Sequence, residues 1–480
     1  MRVRHTKQTV AVVALAALAL VTTACTSDDA ETASGSSPAS GQGVGDPYFP
    51  DDGNLGYDVI GYHVRLTYDP AHHAITARTT IIARATQRLR SFHLDLLGLH
   101  VDDARVDGKP ARQRRTDAHE LVITPRTPIQ QTRRFTTVVG YHGRPGADPV
   151  GPVQSGWYDA VTPGGGFIAG EPHSCTVWYP CNDHPTDKAT FALTATVPRP
   201  LEVVSVGVQG VATATTLRDG TKARTYRWRL DEPTATYLTT LYIDKLTFER
   251  STLGDGTPVV SAYGPHPRGA PQREAKLPEI LRVLSDAWGP YPAPAAGGIF
   301  VTAEVPFSLE TYTRPLYTYG ADVATIVHEN AHQWWGDNVS VMRWRDICLN
   351  ECFASYSVWL WDEAHGADLD ARYHEAVDRG GADWFDLPLY DMGPAHLFDY
   401  YGVYFKGTFF LHALRNKLGD EAFFSALQGI QRDDSGGNLS MLGLRDELER
   451  RTGVDLTSFW QEWVIDTGRP SDANLYPGDL

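Results

Sequence analysis

The residues best suited to chemistry in this chain are His328-Glu329-Asn330-Ala331-His332. On a helix, side chains four apart lie one above the other, so His328 and His332 can present two imidazoles to one divalent metal. Glu329, one residue on from His328, then stands where it can take a proton from water beside that metal. Neutral imidazole nitrogens at about 2.0–2.1 Å suit zinc, one ion per chain. A hydrolytic site of this kind needs a third protein ligand and one open position. Glu351 lies within the apolar run Ile347-Cys348-Leu349-Asn350-Glu351-Cys352-Phe353-Ala354. An unpaired carboxylate there would be costly, and the metal is its expected partner. The longer metzincin pattern needs a third histidine where this chain has Asn338, so that class is excluded.

These side chains must be held by helices. Helical periodicity runs over 272–288, 322–335, 346–365 and 404–418, and Gly336, Gly366 and Gly419 follow the last three as expected caps. Upstream, from about Tyr48 to Arg250, the period is two. Tyr62, Val64, Leu66 and Tyr68 alternate with His63, Arg65, Thr67 and Asp69, and Phe191, Leu193, Ala195 and Val197 alternate with mostly polar residues. Asp69-Pro70 and Asp107-Gly108 punctuate these runs as turns. The predicted fold is α+β: a twisted, largely antiparallel β domain over 47–250, then a mostly α domain over 251–480.

The chain opens with Arg2, Arg4 and Lys7, followed by an apolar run from Val10 to Val21 that is too short to span a membrane. The run ends at Thr22-Thr23-Ala24-Cys25, which reads as a lipoprotein-type signal peptide over 1–25 with Cys25 as the lipidation site. Residues 26–46 read as a flexible tether. The expectation is export, to the outer face of the cell membrane as a lipoprotein or into the medium. A formal net charge of -15 over 480 residues leaves no basic surplus for nucleic acid. The 42% hydrophobic content is ample for two cores.

Further motifs accompany the central one. They are Gln333-Trp334-Trp335-Gly336-Asp337, Trp344-x-Asp346, Trp178-Tyr179-Pro180-Cys181-Asn182-Asp183-His184-Pro185 after Glu171-Pro172, and Phe459-Trp460-x-x-Trp463 before Gly468-x-Pro470. Together with the zinc-type pattern they resemble the aminopeptidase N family of gluzincin metallopeptidases over nearly the whole mature chain. The likeness is to a short bacterial form without the large C-terminal helical domain of many relatives. The resemblance implies a thermolysin-like catalytic domain that removes residues from peptides with a free amino terminus. It implies that His328, His332 and Glu351 bind zinc and that Glu329 is the general base. Ser308-Leu309-Glu310 occupies the place of the family's amine-anchoring strand, making Glu310 the anchor, with Glu304 the nearby rival. Tyr404-Phe405-Lys406-Gly407 supplies the tyrosine that donates to the oxyanion, although Tyr400 and Tyr401 are close in sequence. The resemblance also admits an endopeptidase or epoxide hydrolase on the same site, or a non-catalytic scaffold.

Cys348 and Cys352 depart from the family pattern on either side of Glu351, and Cys175 replaces a usual small residue. Four cysteines after Cys25 allow three pairings in an oxidising compartment. The readings are buried free thiols or a bridge from Cys175 to Cys348 or Cys352 tying the two domains, a mutual bridge between Cys348 and Cys352, four apart on one helix, being expected to strain.

Overall fold

The computed structural model describes residues 43–117, 119–151, 155–303, 305–318 and 320–480. The leader with Cys25, most of the 26–46 tether and Glu304 lie outside the described residues. No described helix is long and apolar enough to cross a membrane.

Alternation in sequence becomes alternation in space. In β1 (Tyr57–Asp69), Tyr62, Val64, Leu66 and Tyr68 are buried while Arg65, Thr67 and Asp69 face solvent. β2 (Ala74–Ala85), β3 (His100–Val106), β4 (Arg134–Gly143), β5 (Ala189–Pro198) and β6 (Lys222–Thr234) join β1 in the order β6-β5-β1-β2-β4-β3. The pairing is antiparallel except between β1 and β5, which run parallel from Gly61↔Thr190 to Thr67↔Thr196. The long excursion between β4 and β5 makes this possible, because a parallel neighbour needs a crossover rather than a hairpin. That excursion contains Gly166–Ala169, a strand of a second sheet, and the loop that follows it carries Glu171.

β7 (Thr247–Thr252), β8 (Pro258–Tyr263), β9 (Ile299–Phe300) and β10 (Leu316–Tyr317) form a small mixed sheet that leads into the helices. The predicted helix over 272–288 is split into a short turn at Ala270–Glu274 and α1 (Leu277–Trp288). Pro278 in the first turn of α1 has no N–H to continue the ladder. α2 (Val323–Ala331) ends before the predicted 335. The N–H groups of Asp337, Asn338 and Val339 bond instead to the carbonyls of His332, Gln333 and Trp334, a ladder widened by one residue per turn. α3 (Cys348–Ala364) and α4 (Leu369–Arg379) follow. α5 (Lys406–Leu418) starts two residues after the predicted Tyr404, preceded by a π-helical turn at Tyr400–Phe405.

Aromatic packing locks α1, α3 and the turns that follow α2 together. The Trp335 and Phe353 rings stack at 4.0 Å, and Trp288 meets Trp335 edge-on at 5.9 Å while its Nε1 donates to Ser357 Oγ at 2.9 Å. The β-rich part is fastened to the helices by Lys188, whose buried Nζ donates to the carbonyls of Asp337, Asn338 and Gly437. Asp46, at the end of the segment read as a tether, is buried and accepts from the Trp344 amide at 2.9 Å.

The cysteines pair locally, as Cys175–Cys181 and Cys348–Cys352. The expected bridge from Cys175 to the α3 cysteines is thus corrected. Each cysteine has a partner six or four residues away, and a short loop costs less entropy to close than one between domains.

Candidate metal centre

Asp322 caps α2 by accepting from the Thr325 amide at 2.8 Å. Ile326, Val327 and Ala331 bury the inner face of the helix, which turns His328 and His332 toward α3. There the two histidines meet Glu351. His328 Nε2 and His332 Nε2 lie 3.0 and 3.5 Å from Glu351 Oε2 and 3.2 Å from each other. A tetrahedral zinc with arms of about 2.0–2.1 Å has ligand–ligand edges of about 3.3–3.4 Å, so this triangle fits one face of its coordination shell. His332 Nδ1 donates to the Trp335 carbonyl at 3.0 Å, which leaves the Nε2 lone pair free for the metal. Gly336 makes room for this: its φ is +123°, and a Cβ there would stand 3.3 Å from His332 Nδ1.

The triangle opens into a cavity of about 320 Å³ lined by Glu171, Phe307, Glu310, Glu329, Phe398 and Tyr404 along with the three donors. Acidic oxygens of Glu310 and Glu329 come within 4.8 Å of His332 nitrogen and of each other. Four carboxylates therefore share one small volume, which favours a divalent cation in it. Burial pushes Glu351 up, but His332 and His328 outweigh it and hold the carboxylate well below its usual range. Burial raises Glu329 and Glu310, with His332 partly offsetting it. Burial, and then Glu310, raises Glu171.

Glu310 is set by its surroundings. The Tyr237 hydroxyl donates to Glu310 Oε1 at 3.1 Å. Gln333, next to His332, donates to the Glu310 carbonyl at 3.2 Å and accepts from the Thr313 amide at 2.7 Å. Thr313 has φ +73°, costly for a β-branched residue, and it is held there by Gln333 and by the Gly207 amide on its hydroxyl. Arg314, fully buried, reaches the carbonyls of Val260 and Gly207 and lies over the Trp228 ring at 5.0 Å.

Of the three neighbouring tyrosines, only Tyr404 lines the cavity with the donors. Its ring centroid lies 5.9 Å from that of His328. Tyr400 and Tyr401 are exposed. Glu171 is a site residue that sequence reasoning missed: Glu171-Pro172 was read only as part of a signature, yet its carboxyl is buried and Oε1 has no hydrogen-bond partner.

The Peptidase M1 N-terminal domain model matches residues 59–238, and the Peptidase family M1 domain model matches 311–463. A solved M1 zinc metallopeptidase from Deinococcus radiodurans, a mutant bound to a Tyr-Ser-Ala substrate, is 30% identical. It superposes with a TM-score of 0.81 over 90% of this chain and 99% of its own. The chain belongs to the M1 family of zinc metallopeptidases. Among curated M1 relatives, aminopeptidase N of Lactococcus lactis is 31% identical over 159 residues, which is 30% of this chain and 18% of that protein. The probable aminopeptidase 1 of Sulfurisphaera tokodaii is 23% identical over 409 residues, or 78% and 49% respectively. The chain thus spans half the length or less of these two curated relatives. One catalytic zinc belongs to the family, and His328, His332 and Glu351 are the donors here that fit it.

Proposed function

We propose that this M1 protein is an aminopeptidase. The observation that carries the reading is a zinc-type donor triangle in the same small cavity as two buried carboxylates, Glu171 and Glu310, placed to bind an ammonium. Zinc on His328, His332 and Glu351 supplies Lewis acidity, lowering the pKa of water and polarising a carbonyl. Glu329 accepts the proton of the attacking water on its carboxylate. As the C–N bond breaks, Glu329 passes that proton to the leaving amine. The Tyr404 hydroxyl donates to the carbonyl oxygen as negative charge gathers there. Glu310 and Glu171 hold the substrate's amino group, which fixes the scissile bond one residue in. The unpaired Glu171 Oε1 suits this role, since a bound ammonium gives the buried atom its missing partner.

The test compares peptides with free and acetylated amino termini, with and without a chelator. Release of the first residue from free peptides only, abolished by chelation and restored by zinc, is the expected result. Cleavage of acetylated peptides at equal rates overturns it.

We further propose that the leader exports the protein and that Cys25 is lipidated. The two disulfides support an oxidising compartment. Retention of a labelled acyl chain by the native protein and its loss in Cys25→Ser is the check.

A further inference from the structure

Away from the catalytic centre, the described residues bring imidazole and carboxylate donors together at one further place, in the β-rich part of the chain. Asp95, His119 and Glu120 there have donor atoms that all lie within 4.8 Å of one another. Another group, Cys175, Cys181 and Asp183, has its two sulfurs joined to each other. The backbone sets up the first meeting. The strand Phe92–Asp95 pairs antiparallel with Glu120–Thr124, in a register that places Asp95 directly opposite Glu120. His93, two residues before Asp95, shares its face, and His119 enters from the bend before Glu120. Like charges directly opposite one another destabilise a sheet, and Asp95 is completely buried.

The protein compensates this pair only in part. His93 Nδ1 lies 3.0 Å from Glu120 Oε2. The two oxygens of Asp95 accept from Asn54 Nδ2 at 2.8 Å and from the Asp183 amide at 2.6 Å, contacts that suit a carboxylate rather than a protonated acid. Burial, and then Glu120, nonetheless push the Asp95 carboxyl up, with Asp183 and Asp52 adding to the pressure. Facing it is His119 Nδ1, a solvent-inaccessible nitrogen with no hydrogen-bond partner, 3.8 Å from Asp95 Oδ1. That separation is too long for a hydrogen bond. It is a few tenths of an ångström above the edge of about 3.3–3.4 Å between two donors on a tetrahedral zinc. Two oxygens on the residues that grip Asp95 are also without partners: Asn54 Oδ1 and Asp183 Oδ2, on residues only 1% and 2% exposed. A cation among these atoms gives the buried nitrogen its partner and offsets the excess negative charge. The side chains of His119 and Glu120 are 21% and 12% exposed, so an ion can reach them from solvent.

We propose that Asp95, His119 and Glu120 bind a second zinc ion, apart from the catalytic one. An imidazole beside two carboxylates suits zinc better than calcium or magnesium, which take oxygen ligands. His93 holds Glu120 from behind and sets the direction of its carboxylate, as an outer partner of a metal ligand does. The role of the ion is structural. Asp95 grips the Asp183 amide, Asp183 accepts from Thr236 Oγ1 at 2.6 Å, and the next residue, Tyr237, donates to Glu310. The ion thus pins the corner of the β-rich part from which Glu310 is held. The site shares no residue with the catalytic centre.

Zinc per chain, measured by atomic emission after equilibrium dialysis against a zinc buffer, is the test. The native protein should hold two ions and His119→Ala one. His328→Ala/His332→Ala, which removes two catalytic donors, should keep one, and adding His119→Ala to it should leave none. Loading the His328→Ala/His332→Ala protein with zinc should raise its Tm, and that rise should vanish once His119→Ala is added. Circular dichroism verifies that each variant folds, and Glu120→Ala takes the place of His119→Ala if the latter does not. One zinc in the native protein and none in the His328→Ala/His332→Ala protein overturns the second site. So does a second zinc that survives in a folded His119→Ala or Glu120→Ala protein, because the ion then lies elsewhere.

Discussion

Glu329 and the acid pair Glu171 and Glu310 have the same side-chain chemistry but different assigned work, and substitution separates the two. Glu329 is not part of the donor triangle, so Glu329→Gln should retain zinc while kcat falls by about 10²–10⁴-fold, the usual worth of a general base. Metal content beside turnover is the measurement, and near-normal turnover sinks the assignment. Glu310→Gln and Glu171→Gln should act on binding instead, each raising KM for free-amine substrates by about 10-fold. Because both touch one ammonium, the double variant should fall well short of the product of the two effects. Fully multiplicative losses would show that they do not share a ligand. Two histidines at helical spacing and a glutamate stranded in an apolar run were legible in the sequence because each states its own constraint. Glu171 was not, since a glutamate in a β region reads as solvent-facing until the fold turns its loop inward over the metal centre. Glu310 was legible only through resemblance. The segment carrying it has no periodicity, and its position depends on Gln333 and Tyr237 from elsewhere in the chain.

At the scale of elements, α3 carries the main departure from its relatives' pattern. Cys348 and Cys352 span one turn of the helix, and Glu351 projects from that turn into the donor triangle. α5 also approaches α3 tightly at Cys352, since a Cβ on Gly407 would overlap its sulfur. Closing a loop this short restricts the unfolded chain by about 2 kcal/mol, so Cys348→Ala/Cys352→Ala should lower stability by roughly that amount. Chemical unfolding measures it, and an unchanged midpoint counts against the bridge. Gly407→Ala should cost more than a surface glycine substitution, because α5 must move away from α3 and carry Tyr404 with it. A normal kcat in that variant contradicts the close approach. The sequence predicted α2 and α5 but misplaced one end of each. The widened turns after Ala331 and at Tyr400–Phe405 each hold an extra residue, and a pattern of period 3.6 does not register an insertion set by tertiary packing. The cysteine pairing failed for a related reason: a sequence read as two domains drew attention to a long-range bridge, while the backbone gave each thiol a local partner.

At the scale of the molecule, the substrate cavity is built from both parts of the chain, so its geometry depends on contacts that hold them together. Lys188 is one such contact, and within the β-rich part a buried pair braces the loop that carries Glu171. His173 lies 3.1 Å from Asp52, both nearly inaccessible, with Phe49 edge-on to the imidazole at 5.0 Å. Burial alone would push the imidazole down, but Asp52, then Asp183 and Asp148, outweigh it and raise it to about 9. The folded value lies above the unfolded value of about 6.5. Stability from this pair is therefore fully present below about pH 6.5 and is lost as pH rises through 9. The shift corresponds to about 3 kcal/mol. Lys188, pushed down by burial to about 7, contributes a slope of the opposite sign, but it is common to native and variant proteins and cancels in their difference. The stability gap between native protein and His173→Gln, measured by urea unfolding from pH 6 to pH 10, should shrink by about that amount, mostly between pH 6.5 and 9. Parallel curves would mean that no buried charge exists at His173.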